Sequence, residues 1–150
     1  MDMSPTMSEP YRPTRLFTVA TANEMLPVVA PILERMQRDQ QSLDDTGNRL
    51  DAISEAMRSN GHALEAFRLE QEALRLRKRI TEDVLHLAHL GVEVKNIATG
   101  LIDFPAIREG EIVLLCWMLG EQEIAFWHSL QAGFAGRRPI DFTGETGAPD

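Results

Sequence analysis

The sequence predicts an α+β fold dominated by helix: a long antiparallel helical hairpin packed with a small antiparallel three-stranded sheet and a C-terminal loop segment. Three observations support this prediction. Apolar residues recur at helical spacing through residues 21–90, an Asn60-Gly61 pair interrupts them, and from Gly91 the spacing changes to the alternation of strands. The 150 residues are enough to bury the core of one domain, and a second domain is not expected.

The first helix is expected to begin at Thr21, because Thr21 and Glu24 have the spacing of a capping box. In this motif each side chain satisfies a backbone N–H group of the first turn. Apolar residues then recur at intervals of three, four or seven as far as Met57. Asn and Gly tolerate the left-handed backbone conformation that ends helices, so the chain is expected to reverse at Asn60-Gly61.

The second helix is expected from about His62 to Leu90. It carries apolar residues at strict seven-residue spacing, namely Ala66, Ala73, Ile80 and Leu87. Each helix of a hairpin offers its partner only one narrow seam, so two broad apolar stripes need further cover. We expect that cover from both the C-terminal segment and a second copy of the chain, which predicts a homodimer.

Three strands are expected after Gly91. They are Val92–Ile97, Leu101–Phe104, which Pro105 stops, and Ile112–Leu119, which follows a polar loop. Both alternating sets of side chains in the last strand are apolar, so both faces of the sheet should be covered. The hairpin is expected on one face, and residues 121–140 or a partner subunit on the other.

The composition predicts a disordered lead, residues 1–15, and a disordered tail, residues 141–150. Between them lies one predicted folded domain, residues 16–140, which consists of the hairpin (21–90) and a motif-dense β segment (91–140).

Charge and composition narrow the classes of function. The net charge of −8 opposes nonspecific binding to nucleic acid and to anionic membranes, so neither is an expected partner. No apolar stretch approaches the roughly 20 residues that span a bilayer. A single cysteine, Cys116, excludes an intramolecular disulfide, and the cytoplasm is the predicted location.

Several motifs between Leu16 and Ile140 together resemble an uncharacterised bacterial family, catalogued as domain of unknown function 2203. The motifs are Leu16-Phe17-Thr18, Ala22-Asn23, Leu26-Pro27, Gly91-Val92-Glu93-Val94-Lys95, Gly100-Leu101-Ile102-Asp103-Phe104-Pro105, Leu115-Cys116-Trp117, Gly120-Glu121, Trp127-His128 and Gly133-Phe134-Ala135-Gly136-Arg137. The resemblance assigns no role to any residue. It marks eight positions as distinctive: Lys95, Asp103, Cys116, Trp117, Glu121, Trp127, His128 and Arg137.

Potential metal ligands are concentrated in residues 91–140, namely Asp103, Cys116, Glu121, Glu123 and His128. Carboxylate and imidazole groups suit zinc, manganese or iron. This cluster makes His128, Glu121 and Asp103 the candidate ligands of a divalent metal ion. Ion pairs and charges at a helix end are the ordinary explanation of the same residues.

The structure of residues 121–130 decides whether that site is compact. If they form a helix, Glu121 and His128 lie about 10 Å apart along its axis, which weakens a joint site. If Gly120-Glu121 is a hairpin turn, residues 122–128 return as a strand, and His128 can approach Cys116 or Asp103 across the sheet.

A small-molecule site is the second interpretation of the same segment. The Gly133–Arg138 loop can present backbone N–H groups and guanidinium groups to a phosphate or carboxylate. The candidate ligand-binding residues are Arg137, Asp103, Lys95 and Trp127. The alternative is a loop that packs on the core and pairs Arg137 with an internal acid.

Cys116 and His128 have the right residue types for a thiol nucleophile activated by a base. It also lies within an apolar run of eight residues, where burial raises the pKa of a thiol, so a core cysteine is favoured.

Two functions remain open at this stage. One is a metal-binding or small-ligand-binding protein with its site in residues 91–140, with enzymatic activity undecided. The other is a dimeric helical-hairpin assembly or adaptor module without a chemical site.

Overall fold

Two long helices form an antiparallel hairpin in this computed structural model, which describes residues 10–145. Helix α1 spans Val19–Asp51 and helix α3 spans Ala63–His89, with a short helix α2, Glu55–Met57, between them. The predicted hairpin is therefore confirmed. Among residues 10–145 no helix combines the length and the apolar character needed to cross a membrane.

Helix α1 begins earlier than its sequence pattern predicts. Its N-cap is Thr18, whose hydroxyl accepts a hydrogen bond from the Thr21 backbone N–H at 3.0 Å. The Thr21 hydroxyl accepts one from the Thr18 backbone N–H at 2.9 Å, which completes a capping box. Thr21 thus occupies the third position of the helix, because a hydroxyl can take the role that Glu usually has there.

The connection between the long helices has two parts. Helix α1 ends at Asp51, short of the predicted Met57, and the Ser54 hydroxyl caps α2 by accepting from the Met57 N–H at 3.1 Å. A short turn, Arg58–His62, follows, and inside it Gly61 has a φ of +101°. The predicted helix break at Asn60-Gly61 is confirmed, because glycine adopts this left-handed conformation without a steric penalty.

Ion pairs join the two helices of the hairpin. Arg35 donates to both carboxylate oxygens of the buried Asp83, one of them at 2.9 Å from Nε. Arg79 approaches the buried Asp39 at 3.1 Å in the reciprocal arrangement. The four residues of the predicted seven-residue spacing, Ala66, Ala73, Ile80 and Leu87, are all buried.

An antiparallel sheet of five strands follows the hairpin, in the order β1-β2-β3-β4-β5. The strands are β1 Glu93–Asn96, β2 Leu101–Arg108, β3 Glu111–Met118, β4 Phe126–His128 and β5 Arg138–Pro139. The sequence predicted three strands, and that number was wrong. β4 and β5 have three and two residues, too few to show an alternation of apolar and polar positions.

Pro105 does not stop β2, contrary to the prediction. It pairs with Leu114 of β3 inside the strand, while β1 pairs with β2 only as far as Asp103. The Pro105 carbonyl accepts a hydrogen bond from the Phe17 N–H at 2.7 Å and so points away from β3. The missing N–H of the proline therefore lies at the open side of the strand, where no ladder bond is lost.

The two faces of the sheet differ in their side chains. Ile102, Phe104, Leu115 and Trp117 lie in the main core, which the hairpin helps to form. The alternate positions of β2, β3 and β4 point to the opposite face. Residues on that face are also buried, and part of the segment that follows β4, residues 129–137, lies against it. Both faces are thus covered, as predicted.

The ends of the chain lie partly outside the described residues. Residues 1–9 and 146–150 belong to the predicted lead and tail, and the division into lead, domain and tail stays a prediction. Within the described part, the Thr143 carbonyl accepts from the Val19 N–H at 2.7 Å, and Phe142 packs edge-on against Trp127 at 6.0 Å.

Candidate metal centre

Three chemically reactive side chains meet on the sheet face that points away from the helices. Asp103 lies in the middle of β2, and Cys116 lies directly opposite it on β3. His128 ends β4, next to Leu114 of β3. Because side chains alternate along a strand, this register places all three on one face.

The ligand atoms of Asp103, Cys116 and His128 all lie within 4.8 Å of one another. His128 Nε2 is 3.0 Å from Asp103 Oδ2. All three residues are buried, with exposed fractions of 1%, 0% and 5%. Such burial is unusual for an acid and a histidine, and it makes their interactions stronger than the same contacts in water.

The His128 ring is fixed by the backbone. Its Nδ1 lies 2.7 Å from the carbonyl oxygen of Ser129. Since a carbonyl only accepts hydrogen bonds, Nδ1 carries a proton and donates it. Nε2 is therefore the ring nitrogen that faces the cluster, in the orientation that metal-binding histidines commonly have.

The Asp103 carboxylate is only partly compensated in its buried place. Burial raises the pKa of Asp103, and the nearby His128 and Lys95 offset this only in part. Asp103 Oδ1 is buried and has no hydrogen-bond partner among residues 10–145. A buried carboxylate oxygen without a partner is unfavourable in free energy, so a cation close to this atom would be favourable.

The Cys116 thiol is held in its protonated form. Burial and the neighbouring Asp103 carboxylate raise its pKa to about 12. The hydrogen bonds of the His128 ring go to Asp103 and to Ser129, so its geometry does not serve a thiol–imidazole pair. Cys116 is thus buried, as its apolar neighbours predict, and it is also part of the cluster.

A small cavity of about 170 Å³ adjoins the cluster. Asp103, His128 and Lys95 are its polar lining residues, and its apolar walls come from Leu101, Leu114, Leu130, Ala132 and Phe134. At about 30 Å³ per liquid water molecule, it has room for about five waters or for one ligand of a few atoms.

Glu121 does not join the cluster. The residue follows a turn at Gly120, whose φ is +106°, and its carboxylate lies 2.7 and 2.9 Å from the Arg137 guanidinium. It also accepts a hydrogen bond from the Met118 N–H at 2.8 Å. Of the three candidate metal ligands, the structure brings Asp103 and His128 together and places Glu121 in an ion pair.

The candidate ligand-binding residues divide between two cavities. Lys95 and Asp103 line the small one, and Lys95 also forms an ion pair with Glu93 at 3.0 Å. Arg137 and Trp127 line a wider groove of about 840 Å³, together with Arg108 and Arg138. The four residues therefore do not form one pocket.

Arg137 acts as a structural element of the Gly133–Arg138 loop. Its guanidinium lies over the rings of Phe126 and Phe134, at 4.3 and 4.6 Å from their centres. Together with the Glu121 pair, this fixes the loop against β4. The geometry favours the alternative in which the loop packs on the core and Arg137 pairs with an acid.

The strand alternative is confirmed for residues 126–128 only, because β4 begins at Phe126 and residues 122–125 do not form a strand. Ile124 is buried in the main core. The Ile124 N–H donates to the Asn23 side chain of α1 at 2.8 Å. Sequence reasoning missed this role of Asn23, whose only signal was its place in the Ala22-Asn23 motif of the family resemblance.

These features define a class: an α+β protein in which a helical hairpin supports a sheet with a buried acid–thiol–imidazole cluster on its far face. The chain belongs to the family described as "Uncharacterized conserved protein (DUF2203)", whose family model matches residues 15–140. This match confirms the resemblance carried by the motifs. No curated protein and no solved structure matches the chain.

Proposed function

We propose that this protein binds one divalent transition-metal ion of the zinc class through Asp103, Cys116 and His128. The observation that carries the proposal is the mutual proximity of three buried ligand atoms of different chemistry, within 4.8 Å. Ligands of a tetrahedral zinc ion lie about 3.5 Å apart, given metal–ligand distances of about 2.0–2.3 Å. A contraction of about an ångström would therefore seat the ion.

The donor set favours zinc over harder cations. A thiolate and an imidazole select zinc and similar metals, whereas magnesium and calcium prefer oxygen ligands. The charges also balance, because a thiolate and a carboxylate together neutralise a divalent ion in this buried place. The unpartnered Asp103 Oδ1 would gain a partner.

Two further features support a metal rather than a thiol nucleophile. The Ser129 carbonyl holds His128 with Nε2 toward the cluster, as the backbone does for many metal-binding histidines. The raised pKa of Cys116 disfavours a reactive thiolate in the metal-free protein, whereas a bound cation would stabilise that thiolate directly. A thiolate ligand also fits a reducing compartment, and we infer a cytoplasmic location.

Elemental analysis of the untagged, zinc-loaded full chain tests the proposal. We expect about one zinc per chain for the wild type. Cys116→Ser, His128→Ala and Asp103→Asn should each weaken zinc binding by about a hundredfold or more, because losing a group that merely orients a ligand already costs about 10- to 100-fold. With cobalt in place of zinc, the thiolate ligand should give a sulfur-to-metal charge-transfer absorption that Cys116→Ser removes.

Glu121→Gln is the matched control. It alters an acid of the same segment that pairs with Arg137, so zinc binding should be retained. Circular dichroism shows whether each variant is folded. A folded wild type that takes up no stoichiometric zinc, or a Glu121→Gln loss equal to that of His128→Ala, contradicts the proposed site.

A further inference from the structure

One face of α3 carries an apolar stripe that stays exposed in the single chain. Leu64, Phe67, Leu74 and Leu85 are between 55% and 63% exposed. Large apolar side chains aligned in this way mark a surface that another molecule covers.

The stripe has the spacing of a coiled-coil seam. The apolar residues of the stripe belong to a series of exposed positions that are three and four residues apart in turn. We call this series the α3 seam, and it consists of Leu64, Phe67, Gln71, Leu74, Lys78, Thr81 and Leu85. The buried residues of α3 lie on the opposite face of the helix, namely Ala66, Leu69, Ala73, Leu76, Ile80, Asp83 and Leu87. The seam is thus distinct from the contacts that close the hairpin, and it has the 3.5-residue period that pairs two helices.

We propose that the α3 seam is the interface of a homodimer in which the two α3 helices pack parallel and in register. The occupant is a second copy because the charges that flank the seam complement themselves. In a parallel pair, the residue directly before seam position Gln71 or Lys78 faces the residue five positions further along the partner helix. Glu70 then faces Arg75 of the other copy, and Arg77 faces Glu82.

Both of these contacts are attractive, and the twofold axis repeats each of them. In the antiparallel registers that keep most of the seam paired, at least one flank brings arginines together: Arg68 meets Arg75, or Arg75 meets its own copy. Like charges at these positions oppose pairing. Charge therefore selects the parallel arrangement.

The polar seam residues fit this arrangement as well. Gln71 meets Gln71 of the second copy and can exchange hydrogen bonds with it. Lys78 meets its own copy, and its ammonium can extend to solvent while its stem covers apolar surface. Such residues weaken a seam but fix its register, because only one alignment matches them.

Sedimentation of the full chain at micromolar concentration tests the interface. We expect a mass of about twice the 16.8 kDa of one chain. Leu74→Asp at the seam centre should weaken the dimer by about a hundredfold or more, because each dimer would bury two carboxylates. Val28→Asp is the control, since Val28 is a similarly exposed apolar residue on α1.

The flanking charges test the register. Arg77 and Glu82 form no ion pair within residues 10–145, so their substitution leaves the ion pairs of the single chain intact. Arg77→Glu and Glu82→Arg should each weaken the dimer by about three- to thirtyfold at low salt, and the double variant should restore it. Leu74→Cys should form a disulfide with its own copy under oxidation.

A monomeric wild type, or a folded Leu74→Asp variant that stays dimeric, overturns the interface. Two results would overturn the parallel register. One is a dimer affinity that does not change with the Arg77 and Glu82 substitutions. The other is a Leu74→Cys chain that forms a disulfide only with a Gln71→Cys chain. These readouts do not involve zinc, so their outcome is independent of the metal site.

Discussion

The pairing of His128 with Asp103 depends on a strand register that no local pattern records. A hairpin turn at Gly120-Glu121 was one of two alternatives, and it predicted a strand in which His128 approaches Asp103 or Cys116. The structure has a short strand there, and His128 contacts Asp103. Asp103 and His128 were recognised because residue types that commonly bind metals are concentrated in residues 91–140. Cys116 was assigned to the core because its neighbours are apolar, which is equally true of a buried ligand.

Glu121 shows the limit of reasoning from residue type. Its carboxylate suits a metal, but the turn at Gly120 directs it toward Arg137 rather than His128. The turn geometry and the position of Arg137, sixteen residues later, decide this outcome. Neither is visible in the spacing of Glu121 and His128.

The pH dependence of zinc binding should follow from the Cys116 thiol. Its pKa is raised to about 12, so the thiol is protonated at neutral pH and must lose its proton when zinc binds. Each proton released on binding makes the apparent affinity rise as pH rises, by about tenfold per pH unit. Competition with a chromophoric chelator across the neutral range measures this slope.

Cys116→Ala provides the control for that slope. The residual zinc affinity of this variant should rise less steeply with pH than that of the wild type. We expect the slope to be smaller by about tenfold per pH unit, because one titrating ligand is lost. A wild type and a Cys116→Ala variant with equal slopes would show that the thiol does not bind the metal as a thiolate.

At the scale of the elements, the helices were predictable and the short strands were not. The buried residues of α3 recur at regular spacing over 27 residues, so many positions indicate the same buried face of the helix. β4 has three residues and β5 has two, and irregular connections, residues 119–125 and 129–137, separate them from the strands they pair with. The prediction that Pro105 ends β2 was wrong for a related reason. A proline disrupts a strand only where a neighbouring strand needs its missing N–H group, and the sequence does not show where that neighbour lies.

The ion pair between Arg35 and Asp83 should stabilise the hairpin. Arg35→Ala leaves the buried Asp83 carboxylate without its guanidinium partner, and we expect a loss of about 1–3 kcal/mol in the free energy of unfolding. Arg38→Ala, an exposed arginine of the same helix, should change stability by about 0.5 kcal/mol or less. Urea denaturation compares the two, and equal losses would contradict the role of the pair.

At the scale of the whole molecule, the candidate site joins three strands and the segment after them. Asp103, Cys116 and His128 come from β2, β3 and β4, and the Ser129 carbonyl holds the histidine. A metal bound to all of them ties the second face of the sheet together. If the proposed metal site is correct, metal binding is coupled to the stability of the fold.

Zinc should raise the thermal stability of the full chain. An ion that binds only the folded state adds about 2.7 kcal/mol at a free concentration of 100 times its Kd. Differential scanning calorimetry with zinc and with a chelator should show two distinct Tm values for the wild type and one for His128→Ala. A wild-type Tm that does not change with zinc would contradict the coupling between metal binding and folding.

The proline in β2 has a consequence for how copies of this protein can associate. A strand with free N–H and C=O groups along an open side invites another strand to add to it, and this is a route to aggregation. Here Pro105 removes one donor from that side, and the Phe17 N–H occupies its carbonyl. The opposite end of the sheet is β5, only two residues long. Growth of the sheet from one molecule to the next is therefore discouraged at the open half of β2 and at β5, and the proposed pairing of α3 helices uses neither of these edges.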